Sequence, residues 1–198
     1  FSHLSEHKKQ LLARNAAETG IRYEWYALQR YGSSYSQEFE KVKIVYPEIS
    51  KKPEFALDES GIYINNKCFT IPTDDKYLLG ILNSTLVAFL FSILLPRLQG
   101  GFFSPASVVF RDFPIRPIDP SSPDDMAKHD RMVSLVETML DLHRRLPTAA
   151  TDHEKNLLER QIEATDRQID TLVYDLYGLT DDEIRIVEAS VHKQEKVD

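Results

Sequence analysis

One short pattern near the start of this 198-residue chain could bind a metal ion. In His3-Leu-Ser-Glu6-His7 both imidazoles would share one face of a helix and could hold zinc, with Glu6 as general base. The sequence assigns no third ligand to such an ion. We therefore interpret these residues as a solvated helix end and predict no metal site.

Other signals of catalysis are weaker still. Asp74-Asp75-Lys76 resembles the acidic-x-Lys pattern of metal-dependent nucleases, but no second acidic residue stands on a preceding strand, so a helix cap explains it more simply. The chain contains no P-loop, GxGxxG or GxSxG motif, and its single cysteine, Cys68, has no histidine nearby in sequence. We predict no catalytic residues.

Basic and polar side chains in or beside predicted loops are better candidates, because they suit nucleic-acid binding. The cations are Lys51, Lys52, Lys67, Arg97 and Arg111. Gln99 precedes Gly100-Gly101, which places an amide able to read a base edge beside permissive backbone. Four aromatic residues, Tyr23, Trp25, Tyr26 and Tyr31, could stack on bases, although clustered aromatics more often pack in a core.

Charge is distributed unevenly along the chain, whose net charge is −7. Residues 1–118 carry 14 basic and 12 acidic side chains, whereas residues 119–198 carry 10 and 19. A nucleic-acid partner would therefore contact the first part and not the acidic second part. The single cysteine indicates a reducing compartment, and we expect a cytoplasmic protein. The start at Phe1 suggests a fragment of a longer chain.

The stretch from Tyr77 to Pro96 has twenty residues without a charge, enough for a membrane-spanning helix. Asn83, Ser84 and Thr85 interrupt it, and a bilayer would leave the Asn83 amide without partners. Its flanks, one lysine and one arginine, give no orientation signal. We therefore predict the central helix of a core, and no membrane association.

The remaining patterns predict an α+β fold: a target recognition domain mixing a small sheet with helices, then an antiparallel two-helix hairpin and a short terminal helix. Residues 3–17 predict a helix, residues 41–49 a strand ended by Pro47, and residues 55–71 two short strands joined through Asp58–Gly61. Val108–Phe110 is a further strand candidate.

A series of prolines, from Pro114 to Pro123, marks the best boundary. Beyond it, apolar residues repeat at alternating spacings of three and four from Met132 to Leu146 and from Leu158 to Leu176, which predicts two neighbouring helices. Gly178 should end the second, and Thr180 with Glu183 should begin a third. The predicted domains are 1–118, a Pro/Ser-rich linker at 119–127, and 128–198.

Six blocks in order resemble the TaqI-like C-terminal specificity domain. They are HKKQLLAR, WYALQR, KIVYPEIS, FALDESGIYINNKCFTI, KYLLGILNSTLVAFLF and FRDFPI. That family supplies the target recognition domain of type IIG restriction–modification enzymes and related N6-adenine DNA methyltransferases. The tail, with IDTLVYDLYGLTDDEIRIVE, is similar to the helical spacer of these enzymes and of type I specificity subunits.

The resemblance implies a module that reads double-stranded DNA, chiefly in the major groove, for a methyltransferase domain of the same parent chain. S-adenosylmethionine would bind that other domain, since its Asn-Pro-Pro-Tyr motif and Gly-containing cofactor motif are missing here. From loop position and chemistry we predict phosphate contacts by Lys51, Lys52, Lys67 and Arg111, and base contacts by Arg97 and Gln99. The alternative is an adaptor whose helical hairpin docks on another subunit.

Overall fold

The computed structural model describes residues 1–27, 33–105 and 113–195, and the chain forms two compact units, Phe1–Lys41 and Val42–Asp198. The first unit contains α1 (Ser2–Glu6), α2 (Lys8–Ala13) and a 3-10 segment at Ser33–Phe39. The predicted helix over 3–17 is therefore two short helices that end at Ala13. They part at His7, whose N–H donates to the Leu4 carbonyl at 3.1 Å, one residue short of an α-helical bond.

The second unit opens with a three-stranded antiparallel sheet. Its strands are β1 (Lys43–Pro47), β2 (Ala56–Asp58) and β3 (Cys68–Ile71), in the order β2-β1-β3. The first strand agrees with prediction and ends at Pro47, which has no N–H to donate. The prediction for residues 55–71 needs a correction: β2 and β3 each pair with β1 and not with one another, and a connection over residues 59–67 separates them.

The apolar stretch forms two helices, α3 (Lys76–Leu82) and α4 (Thr85–Leu94), and not the single helix predicted. Asp75 caps α3 by accepting from the Leu78 N–H, as its position in sequence indicates, and Ser84 caps α4 by accepting from the Val87 N–H. Across the described ranges no individual helix has the length and apolarity of a membrane span; only α3 and α4 taken together match one, and they meet at a bend of 58°.

Three further helices complete the second unit: α5 (Pro123–Arg145), α6 (Asp152–Tyr177) and α7 (Asp181–Glu195). The first two form the predicted antiparallel hairpin, since Lys128 near the start of α5 pairs with Asp175 near the end of α6 at 2.8 Å. The caps agree with prediction as well. Gly178 is left-handed (φ 64°) after α6, and Thr180 and Glu183 form a reciprocal capping box at the start of α7.

The repeated apolar residues of the hairpin are largely covered within the chain. Met132, Leu142, Leu158 and Ile169 are buried, and the core that contains Met132 and Ile169 also contains residues of α3, α4 and the sheet. α5 approaches α3 so closely that a Cβ on Gly80 would lie 2.5 Å from the Met132 sulfur. The stripe that motivated a docking role therefore contacts its own chain.

The proline-containing segment is bound to several elements of this core. Tyr77 on α3 donates its hydroxyl to the Arg116 carbonyl at 3.0 Å, and Tyr177 on α6 donates to the Pro114 carbonyl at 2.7 Å. Burial raises the pKa of Tyr77 to about 12. Arg116 pairs with Asp125 at 3.0 Å, and α5 begins at Pro123, inside the segment predicted as a linker. The predicted functional division at 119–127 remains a prediction.

Candidate nucleic-acid interface

Three chain segments meet in a small ladder beyond the end of the sheet. Ser50 and Phe103 exchange two backbone hydrogen bonds, of 3.1 and 2.8 Å. Phe103 also pairs with Arg97 on its other side, and the Leu98 N–H donates to the Phe102 carbonyl at 2.7 Å. Residues 50–51 and 97–98 therefore flank residues 102–103, although almost fifty positions separate them in sequence.

The Arg97–Gly101 loop closes this ladder with a tight turn. Gly100 and Gly101 have φ values of 78° and 77°, a backbone conformation that side chains other than glycine rarely adopt. The turn leaves Arg97 and Gln99 exposed, and Arg97 makes no ion pair with any acidic residue in the described part of the chain. An exposed guanidinium and an exposed amide next to each other can both donate to base edges or to phosphates.

Lys51 and Lys67 lie at the same end of the sheet. Lys51 places its ammonium 5.5 Å from the centre of the Phe102 ring, so a cation–π contact holds it against the ladder. Lys67 donates to the Glu48 carboxylate at 2.9 Å, and its carbonyl accepts the Glu48 N–H at 2.8 Å. The structure thus brings Lys51, Arg97 and Gln99 together, with Lys67 close by in an exposed ion pair that lowers its net contribution to a positive surface.

Lys52 and its neighbour Lys51 both line a cavity of about 1070 Å³, whose walls also include Phe55, Met139, Ile162 and Asp166. Partial burial raises the pKa of Asp166, and the positive charges of Lys52 and His143 partly offset that effect. The charge of Lys52 therefore acts on an acidic residue of α6 as well as on the exterior.

Other residues proposed from sequence lie elsewhere. Arg111, Tyr31 and the strand candidate Val108–Phe110 fall outside the described residues. In the first unit, Trp25 and Tyr26 pack edge-on to each other at 5.5 Å, with the Lys8 ammonium 5.2 Å from the Trp25 ring. These rings form a local cluster in which Tyr26 is exposed, and not the core packing that the sequence offered as the alternative to base stacking.

The His3-Glu6-His7 pattern does come together. One ligand atom from each of the three residues lies within 4.8 Å of the others, and all three side chains are exposed. The two histidine rings are 5.1 Å apart in an edge-to-face contact. Solvent exposure and the five-residue length of α1 fit the solvated helix end that the sequence predicts.

A buried ion pair fixes the sheet that supports the ladder. Lys43 on β1 donates to Asp58, its direct partner on β2, and both side chains are almost fully buried. Burial alone would raise the pKa of Asp58. The bond from Lys43 and further bonds from Ser60 and Ile62 outweigh burial and hold that pKa well below its ordinary value.

Sequence reasoning missed two contacts that bind the α3–α4 break to other segments of the chain. Asn83 stands out in sequence as a polar step in the apolar stretch, yet its partner Phe55 lies 28 positions away. Asp170 on α6, which binds Thr85, gave no signal beyond being acidic. A polar residue inside an apolar run was the only local sign of these contacts.

A family model described as the TaqI-like C-terminal specificity domain matches residues 6–115. The match contains the sheet, α3, α4 and the ladder with Lys51, Arg97 and Gln99, and it ends before α5. No curated protein matches the chain. Because the matched region covers more than half of the sequence, the chain belongs to the family of TaqI-like C-terminal specificity domains.

Proposed function

We propose that this chain recognises a specific duplex-DNA sequence through the ladder formed by residues 50–51, 97–98 and 102–103. Its family indicates DNA sequence recognition in restriction–modification enzymes. The observation that carries the proposal is the meeting of Lys51, Arg97 and Gln99 at one exposed end of the sheet. Two cations and an amide on a rigid backbone provide both phosphate attraction and base-edge donors.

Within this surface we assign different roles to different side chains. Lys51 and Lys67 would contact phosphates, where a compact ammonium suffices, and Lys52 and Arg111 are further phosphate candidates. Arg97 and Gln99 would contact bases, because a guanidinium can donate two bonds to guanine and an amide can pair with adenine. The double-glycine turn supports these roles, since it lets the backbone approach a groove closely.

The parent protein that we propose is a type IIG enzyme or a related N6-adenine methyltransferase acting in the cytoplasm. This chain would form one wall of the DNA cleft, and the target adenine would flip into a separate methyltransferase domain that binds S-adenosylmethionine. The sequence of this chain contains no Asn-Pro-Pro-Tyr motif, so we assign methylation to that other domain. Finding the motif in the coding sequence upstream of Phe1 would support this assignment.

The experiment is a salt titration of duplex binding, measured by fluorescence anisotropy. Logarithmic affinity should fall linearly with logarithmic salt concentration. Lys51→Ala should reduce the slope by about 0.9, the value expected when one phosphate is no longer neutralised. Arg97→Ala should instead reduce the preference for the cognate site, because we assign its guanidinium to a base.

Lys155→Ala is the matched control, because Lys155 is an exposed cation on α6, beyond the residues that the family model matches, and its removal changes the net charge equally. It should leave the slope unchanged. Gln99→Ala should keep the slope and reduce the preference for the cognate site. If Lys51→Ala and Lys155→Ala gave the same slope as the unchanged protein, the ladder would not be the DNA-binding surface.

A further inference from the structure

The side chain of Asn83 binds the main chain of Phe55 at both of its polar groups. Its Oδ1 accepts the Phe55 N–H at 3.0 Å, and its Nδ2 donates to the Phe55 carbonyl at 2.9 Å. The same Nδ2 also donates to the Leu79 carbonyl of α3 at 3.2 Å. The amide thus binds both main-chain polar groups of Phe55 and joins them to the end of α3.

This pair of bonds fixes one end of a short basic loop. At its other end, Ser50 exchanges two backbone bonds with Phe103. Lys51 and Lys52 therefore lie between two anchored residues, Ser50 and Phe55, and the Asn83 amide is part of the second anchor. The buried ring of Phe55, 5.1 Å from the ring of Tyr46 on β1, adds an apolar contact at the same point.

Asp170 of the helical hairpin holds the residue two positions after Asn83. Its carboxylate accepts the Thr85 N–H at 2.7 Å and the Thr85 hydroxyl at 2.6 Å, at the first turn of α4. The α3–α4 break is thus bound on one side to the basic loop and on the other side to the hairpin.

We propose that Asn83 is a positioning residue for DNA recognition, which holds the Ser50–Phe55 loop so that Lys51 can contact a phosphate. The claim that Lys51 contacts a phosphate rests on the proposed function. The claim that Asn83 orders the loop does not depend on DNA, and it is measured separately. Asn83 itself would touch no nucleic acid.

The first test uses hydrogen–deuterium exchange of the free protein. Asn83→Ala removes the acceptor of the Phe55 N–H, so exchange of that amide and of the loop should become at least about tenfold faster, whereas the amides of α5 and α6 should not change. Cleavage by a lysine-specific protease after Lys51 should also speed up. Ser92→Ala is the control, because the Ser92 hydroxyl donates within α4, to the Phe89 carbonyl. Unchanged exchange at Phe55 would overturn the inference.

The second test uses the salt titration with folded Asn83→Ala. Affinity at low salt should fall on the order of tenfold, the equivalent of one charge-assisted contact, and the slope should fall by about 0.9. A purely structural role would lower the unfolding midpoint and leave both values unchanged, and that result would overturn the positioning role. If the unchanged protein did not bind duplex at all, the proposed function would fail, and the exchange experiment would still decide whether Asn83 orders the loop.

Discussion

The contact between Asp170 and Thr85 predicts how firmly the hairpin is bound to the region that carries the ladder. It joins residues 85 positions apart and satisfies a backbone N–H at the N-terminus of α4. Loss of the bond to the Thr85 N–H, which acts as a cap, costs about 1 kcal/mol, and loss of the bond from the Thr85 hydroxyl costs about 1 kcal/mol more. We therefore expect Asp170→Ala to lower the free energy of unfolding by about 2 kcal/mol.

The isosteric change Asp170→Asn should behave differently. Its amide oxygen can accept the Thr85 N–H, and its amide nitrogen can donate to the Thr85 hydroxyl oxygen, so both contacts survive without a charge. Burial raises the pKa of Asp170, with the charges of Asp166 and Glu188 acting in the same direction and the Thr85 bonds opposing it. The neutral variant should therefore be within about 0.5 kcal/mol of the unchanged protein at pH 7.

The pH dependence has a defined sign. Because the pKa of Asp170 is raised on folding, its contribution to stability is fully present below the ordinary value of 3.8 and is lost as pH rises through the folded-state pKa. The stability of the unchanged protein relative to Asp170→Asn should thus increase as the pH is lowered from 7 towards 4.

Urea unfolding followed by circular dichroism at 222 nm measures the free energy of unfolding of both variants. The destabilisation expected for Asp170→Ala corresponds to a decrease of about 4–8 °C in Tm for a chain of this size. Asp141→Ala, an exposed change elsewhere on the hairpin, is the control. Equal destabilisation by the Ala and Asn variants would refute the hydrogen-bonded cap, and a decrease below about 0.5 kcal/mol for Asp170→Ala would refute the contact itself.

Two further predictions concern packing and acid stability. Gly80→Ala should lower the free energy of unfolding by about 1–2 kcal/mol, because its Cβ would lie 2.5 Å from the sulfur of Met132, which is fully buried, and 3.0 Å from Val136; a stabilised variant in urea unfolding would contradict this close contact. Asp58→Asn should make the free energy of unfolding depend less on pH in the acid range. Asp58 binds Lys43 and has a lowered pKa, so it contributes stability above the ordinary value of 3.8 that is lost as pH falls. An unchanged acid midpoint would contradict it.

Local signals predicted much of the fold. The caps at Asp75, Gly178 and Thr180 follow from residue preferences that act within one turn, and the structure confirms all three. The hairpin of α5 and α6 follows from apolar spacing, which records the face that each helix buries. The strand over Lys43–Pro47 follows from its β-branched residues and terminal proline.

What sequence could not provide are contacts between distant segments. The pairing of Phe103 with both Ser50 and Arg97 depends on backbone bonds, which leave no trace in side-chain type. The α3–α4 break, with its bend of 58°, is bound through Thr85 to Asp170, a residue far along the chain. The sequence thus suggested Lys51, Arg97 and Gln99 as separate loop residues, and only the fold brings them to one surface.

The most direct test of DNA sequence recognition is selection of duplexes from a randomised pool by the whole chain. We predict enrichment of one short motif, with affinity for that motif at least about a thousandfold above that for unrelated duplex at physiological salt. Gln99→Ala should alter or weaken the preference at a position within the motif, whereas Lys155→Ala should select the same motif. Recovery of no motif, or equal affinity for selected and unrelated duplexes, would contradict the claim that this chain reads DNA sequence.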